Sequence, residues 1–283
     1  MCSRAVRISI LILNLSFIAT ASIATASESV KTKTIKEKNY FPKMQGCFLL
    51  YNLKTDKFEK VIGDERCKER FVACSTFKVP LAVMAFDSNT LKDENETYKW
   101  DGVQRDIPAW NQDTNAKSWM ANSVVWFSQK LTPKLGTIKV TEYLKKFKYG
   151  NEDIGSGLTD AWLKPVTNKK ALKISAYEQV DFMKALWRSQ LPVSQRAMDL
   201  TKEITYLETS TNGFKMNGKT GSNFVAKEKG IRFGWFISHI EKGQQEYIAV
   251  TNFSDDTKSD SQQFGGAQAK EITKTILKDQ GLW

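Results

Sequence analysis

Apolar residues along this chain fall into short continuous runs near both ends and into helically spaced stretches between them. Residues 46–51 form an apolar run of strand length, and Lys54-Thr55-Asp56-Lys57 reads as the turn into a second strand over 58–62. The run Val79-Pro80-Leu81-Ala82-Val83-Met84 predicts a buried helix over 75–86, with Pro80 near enough to its start to be tolerated. Residues 88–113, which hold Trp100, Pro108 and Trp110, are polar and irregular and read as a long excursion. Trp119, Met120, Val125 and Trp126 mark the buried side of a helix over 114–130, which Leu131-Thr132-Pro133-Lys134 breaks. A short amphipathic helix follows over 140–147, and then a glycine-rich, polar stretch over 151–170 around one apolar island, Ala161-Trp162-Leu163. Ser175 and Glu178 have the spacing of a capping box and open a helix carrying Val180, Phe182, Met183, Leu186 and Trp187. Beyond residue 214, β-formers dominate over 215–219, 230–240 and 246–253, with a hairpin turn at Glu241-Lys242-Gly243-Gln244. An amphipathic helix over 267–278 ends the chain. Strands at both ends with helices between them predict an α+β fold, a mainly antiparallel sheet flanked by helices.

The first 26 residues change the address rather than the fold. Arg4 and Arg7 precede an apolar stretch over 8–18, and small residues end at Ala24-Thr25-Ala26, the layout of a secretory signal peptide. That apolar core is shorter than the ~20 residues a membrane span needs, and no later stretch approaches that length. The expectation is an exported, periplasmic protein without a membrane span, residues 27–283 forming the mature domain. The formal net charge of +11 admits nucleic acid, an anionic surface or an anionic small substrate. Nucleic acid is discounted, because the lysines are scattered among acids and no zinc-knuckle or RNA-recognition signature occurs. Of the cysteines beyond the leader, Cys47 and Cys67 flank the first hairpin, so that a bridge is geometrically reasonable but left open; Cys74 reads as a packing residue.

Candidate chemistry begins at Cys74-Ser75-Thr76-Phe77-Lys78. A serine and a lysine three apart on a helix share a face, which sets a nucleophile beside a base. Lys219-Thr220-Gly221 offers a cation, a hydroxyl and close backbone approach at a strand edge, and suits an extended anionic amide-like substrate. Ser123, in Ser123-Val124-Val125, adds a hydroxyl able to pass a proton to a leaving nitrogen. His239 is the single histidine and lies far in sequence from any serine motif, so a Ser-His-Asp hydrolase is disfavoured. With scattered cysteines it also leaves a zinc site without ligands, and no metal is expected.

Taken in order, Ser75-Thr76-Phe77-Lys78, Ser123-Val124-Val125, Tyr149-Gly150-Asn151, Trp162-Leu163 and Lys219-Thr220-Gly221 resemble the class D serine β-lactamases, the oxacillinases. The stretches Trp110-Asn111-Gln112-Asp113 and Phe233-Gly234-Trp235-Phe236 are similar too, and order and spacing match across nearly the whole mature chain. Class A enzymes carry Ser-Asp-Asn where this chain has Ser123-Val124-Val125. The resemblance implies a β-lactamase/transpeptidase-like fold with an all-helical lobe, and hydrolysis of β-lactam antibiotics through an acyl-enzyme on Ser75, conferring resistance. It implies that carbon dioxide, as a covalent carbamate on Lys78, supplies the general base, in a pocket of Val125, Trp162 and Leu163; no bound cofactor is implied. Ser123 would relay a proton to the ring nitrogen, Lys219, Thr220, Gly221 and Ser222 would bind substrate, and the N–H groups of Ser75 and Ser222 would form the oxyanion hole. Many members hold the substrate carboxylate with an arginine near the last helix, whereas this chain has none after Arg232 and places Ala269 about there. The alternative of another class is a non-hydrolysing β-lactam-sensing or penicillin-binding domain on the same motifs.

Overall fold

The computed structural model describes residues 38–258 and 263–283, so the leader expected over 1–26 lies outside the described residues. Chain order is β1 (Met44–Asn52), β2 (Lys57–Ile62), α1 (Asp64–Lys68), β3 (Phe71–Val72), a 3₁₀ turn (Cys74–Phe77), α2 (Lys78–Asp87), α3 (Ala116–Asn122), α4 (Val125–Phe147), β4 (Lys173–Ile174), α5 (Ala176–Trp187), α6 (Gln195–Ile204), β5 (Tyr206–Thr209), β6 (Lys215–Ala226), β7 (Ile231–Lys242), β8 (Gln245–Asp255) and α7 (Gly265–Asp279). Six strands form one sheet in the order β2-β1-β8-β7-β6-β5, each neighbouring pair antiparallel. The first and last parts of the chain therefore meet at the β1–β8 seam.

The central strands read as unbroken apolar runs because both sheet faces are covered. Cys47, Leu49, Phe233, Trp235, Ile237, Ile248 and Val250 pack into the core that includes α2, α4 and α5. The alternate residues Phe48, Leu50, Phe236, Ala249 and Phe253 pack with Ala269, Ile276 and Leu277 of α7. Cys47 and Cys67 form a disulfide with Cα atoms 5.2 Å apart, tying β1 to α1. Cys74 is a free, buried thiol. No described helix is long and apolar enough to cross a membrane.

Three expected elements differ, each for a local reason. The helix expected over 75–86 begins as the 3₁₀ turn and becomes α-helical only at Lys78. The helix expected over 114–130 is two, α3 and α4, divided where Ser123 takes a left-handed conformation (φ 56°, ψ 36°). The break expected at 131–134 is a kink inside α4, where Pro133 removes one backbone donor and Gly136 adopts φ 79°. The capping box at Ser175 and Glu178 forms as expected and opens α5.

Candidate active site

The nucleophile turn is set by its backbone. Cys74 holds φ 52°, uncommon for a residue with a side chain, and its thiol donates to the Val72 carbonyl. Ser75 follows at the mouth of the turn, and Lys78, one turn on, donates from Nζ to Ser75 Oγ at 3.0 Å. Lys78 is 1 % exposed and has no carboxylate within ion-pair reach among the described residues. Burial first, and then the Lys219 charge, push its pKa far below the ordinary lysine range. Burial thus favours the neutral amine, the form able to accept a proton.

The opposite wall is the free edge of β6. β5 pairs with β6 only at Lys215, Met216 and Asn217, and the Gly218 N–H donates to the Thr205 carbonyl, which leaves β6 from Lys219 onward without a strand partner on that side. Glycine at 221 lets this edge pass the nucleophile closely, since an ideal Cβ there would lie 2.9 Å from Cys74 Cβ and 3.3 Å from the Ser75 nitrogen. Lys219 is 4 % exposed, with Nζ against the Thr220 carbonyl (3.2 Å) and hydroxyl (3.4 Å). Burial alone lowers its pKa to about 7.

Between these walls lies a cavity of about 340 Å³ lined by Ser75, Ile107, Trp110, Asn122, Ser123, Val125, Leu163, Thr220, Ser222 and Phe264. Six of the residues singled out from the sequence therefore share one surface, namely Ser75, Ser123, Val125, Leu163, Thr220 and Ser222. Lys78, Trp162, Gly221 and Lys219 are buried behind it. Trp162 packs on Phe77, the neighbour of Lys78, with ring centroids 4.9 Å apart, and its indole N–H is buried without an acceptor. Tyr149-Gly150-Asn151 takes no place in the cavity. Tyr149 is fully buried, and Asn151 accepts from the Lys173 N–H and donates to the Ala171 carbonyl, fastening the ends of the loop that carries Trp162 and Leu163.

Ile107, Trp110, Asn122 and Phe264 were not singled out as site residues. The irregular stretch over 88–113 becomes a cleft wall because the Trp110 indole donates to the Asn122 carbonyl (2.9 Å) and the Trp126 indole donates to the Trp110 carbonyl (2.8 Å). Trp110 lay in a stretch similar to the family; Ile107 and Phe264 carried no local signal. Ala269 does not face the cleft, because it is wholly buried between α7 and the sheet. On α7 it is Gly266 that bonds to β6, its N–H donating to Ser222 Oγ at 2.9 Å. His239 is buried, stacked on Trp187 and bonded through Nε2 to Glu246. Its ligand atom and those of Glu241 and Glu246 lie within 4.8 Å of one another, a grouping that a count of histidines and cysteines overlooks.

The chain as a whole is similar to known proteins. Residues 46–278 match the penicillin binding protein transpeptidase domain. The chain is 35% identical over 249 residues to the β-lactamase OXA-1 of Escherichia coli, covering 86% of this chain and 87% of that one. The solved class D β-lactamase BAT-2 superposes with a TM-score of 0.75 at 32% identity, over 87% of this chain and 97% of that one. The C-terminal domain of the Bacillus licheniformis BlaR penicillin-receptor does so with a TM-score of 0.77 at 29% identity, over 85% and 92%. With a serine and a buried lysine in contact at the foot of a strand edge, and with these relatives, the chain belongs to the penicillin-binding transpeptidase superfamily and, within it, to the class D serine β-lactamases.

Proposed function

We propose that this protein hydrolyses β-lactams through an acyl-enzyme on Ser75. The observation that carries the reading is Lys78, buried, without a carboxylate partner and 3.0 Å from Ser75 Oγ. Ser75 Oγ attacks the strained carbonyl as its proton passes to the Lys78 side, and the N–H groups of Ser75 and Ser222 stabilise the oxyanion. The ring C–N bond breaks, the nitrogen takes the Ser123 hydroxyl proton, and the proton taken up on the Lys78 side is handed on through Lys219 to Ser123, which frees the Lys78 base for the second half of the reaction. Water then attacks the ester, giving its proton toward Lys78, and Ser75 leaves with its hydrogen restored.

Carbon dioxide bound covalently at Lys78 Nζ would supply an anionic base there, held by Val125, Leu163 and the Trp162 N–H. Two features support the fit. Burial favours the neutral form of Lys78, which can add carbon dioxide, and a buried indole N–H without an acceptor suits a nearby anion. Export through the leader agrees with the Cys47–Cys67 bridge, which persists in an oxidising compartment such as the periplasm, and activity there would confer antibiotic resistance.

The likeness to the BlaR penicillin-receptor domain favours a second reading, in which reaction stops at the acyl-enzyme. Steady-state kinetics separate the two. Many turnovers per molecule, abolished in Ser75→Ala, are expected, with a mass adduct on Ser75 when a slow substrate is used. A burst equal to the enzyme concentration followed by no turnover would replace the hydrolase by a receptor.

A further inference from the structure

Three cations near the cleft are already committed. Arg232 is held by Asp255 and the Gln263 carbonyl, Lys164 by Asp160, and Arg105 by Asp101. Lys227 lines the neighbouring cavity rather than this one. Lys219, with a pKa of about 7, is only partly charged at neutral pH. A substrate anion here can gain from a neutral donor beside Lys219.

Ser222 is the donor the geometry prepares. A hydroxyl has one hydrogen and two lone pairs, and the Gly266 N–H already occupies a lone pair at 2.9 Å, leaving the hydrogen free to be given away. Ser222 is exposed and lines both the 340 Å³ cavity and an adjoining one of about 950 Å³. Only glycine allows this contact. An ideal Cβ at 266 would lie 2.7 Å from the Gly221 carbonyl oxygen, 2.9 Å from Ser222 Oγ and 2.9 Å from Thr220 Cβ. Because the first of these is backbone, a side chain there would push α7 off the strand and lengthen the bond to Ser222.

We propose that the Ser222 hydroxyl anchors the substrate carboxylate in place of an arginine, and that Gly266 is the positioning residue that aims it. This rests on the β-lactam reading of the site. A charge-assisted bond of this kind contributes about tenfold in affinity or more.

The test compares acylation rate constants, kacyl/K, for one β-lactam and its methyl ester, which masks the carboxylate. Wild type should favour the acid by about tenfold. Ser222→Ala should lose that preference by slowing on the acid alone, and Ser222→Thr should keep it. Gly266→Ala should lower the acid-to-ester ratio as Ser222→Ala does, and the double variant should lower it no further than Ser222→Ala alone. An unchanged ratio in Ser222→Ala overturns the anchor; equal losses on acid and ester in Gly266→Ala overturn the positioning role. Should Gly266→Ala not fold, the two Ser222 variants decide the proposal. Because acylation is read, a chain that acylates without turnover would defeat the hydrolase reading and leave this test intact, whereas a chain that is never acylated defeats both.

Discussion

Two buried groups of charge lie on the sheet and its neighbours, and they are settled in opposite ways. Arg232 of β7 and Asp255 of β8 face each other with side chains 8% and 6% exposed, joined by two bonds of 2.7 and 3.0 Å, and Arg232 also reaches the Gln263 carbonyl. Lys219 of β6 and Lys78 of α2 are as deeply buried, carry the same sign and have no carboxylate partner among the described residues. Desolvation of a charge is relieved either by pairing or by loss of the proton. The first pair takes the pairing route and serves the fold, joining β7, β8 and the entry to α7. The second takes the proton-loss route, which leaves amines able to accept a proton beside a nucleophile.

The contrast breaks most sharply at Lys78. Lys78→Met keeps the volume and removes the base, so turnover should fall by about 10³ or more. Thermal unfolding should not suffer, since a buried amine with little compensation is replaced by an apolar chain. Loss of both activity and stability would mean that Lys78 is a structural ion partner after all. The same operation on the other pair should invert the outcome. Asp255→Ala strands a buried guanidinium and should cost about 3–5 kcal/mol in chemical denaturation, with kcat per folded molecule little changed. A stability change below about 1 kcal/mol would show that solvent already reaches Arg232.

Lys219 sharpens the contrast through pH. Its pKa falls from 10.5 in the unfolded chain to about 7 in the folded one. Between those values the unfolded state binds more protons, so stability rises with pH across that window, and the full penalty of burying a charge is felt below it. Lys219→Met should reduce that rise by an amount on the order of a few kcal/mol between pH 7 and 10, the remainder belonging to Lys78, whose pKa is lowered too. A wild-type stability curve already flat there would show that Lys219 stays protonated, and hence that it is paired in solution.

The same division runs through what was legible in the sequence. The sheet was readable because β1, β7 and β8 are buried on both faces and leave unbroken apolar runs, and α5 because Ser175 and Glu178 supply a local cap. The contact of Ser75 with Lys78 was readable because both sit on one turn. α6 and β5 were missed. α6 does bury Ala197, Met198, Thr201 and Ile204 at helical spacing, but on a narrow face of a largely polar helix that holds few large apolar residues, and β5 is a short edge strand with little pattern. Ser123 read as helical because no glycine or proline announces its left-handed turn. The contact of Gly266 with Ser222 joins residues 44 positions apart through the sheet, and local pattern carries no trace of it.

The smallest effect bears on why Lys78 is left unpaired at all. Trp162 places a buried N–H without an acceptor beside Phe77, and such a donor ordinarily costs about 1–3 kcal/mol. If it serves only the fold, Trp162→Phe removes an unsatisfied group, and the variant should be at least as stable, with unaltered kinetics. If it holds an anion formed when carbon dioxide adds to Lys78, the variant should deacylate about tenfold more slowly while acylation changes less, because the second half of the reaction waits longest for a base. Added bicarbonate at fixed pH should then restore much of the deacylation rate in the variant and little in wild type, whose site is already filled. In both proteins, activity should fall after degassing at mildly acidic pH, since protonation of the Lys78 amine releases the gas. Labelled bicarbonate adds a readout independent of rate, a carbonyl carbon signal present in wild type, weakened in Trp162→Phe and absent in Lys78→Met. Full wild-type activity after verified removal of carbon dioxide, with no such signal, would mean that Lys78 works as a free amine, and that burial alone, through the depressed pKa, makes it the base.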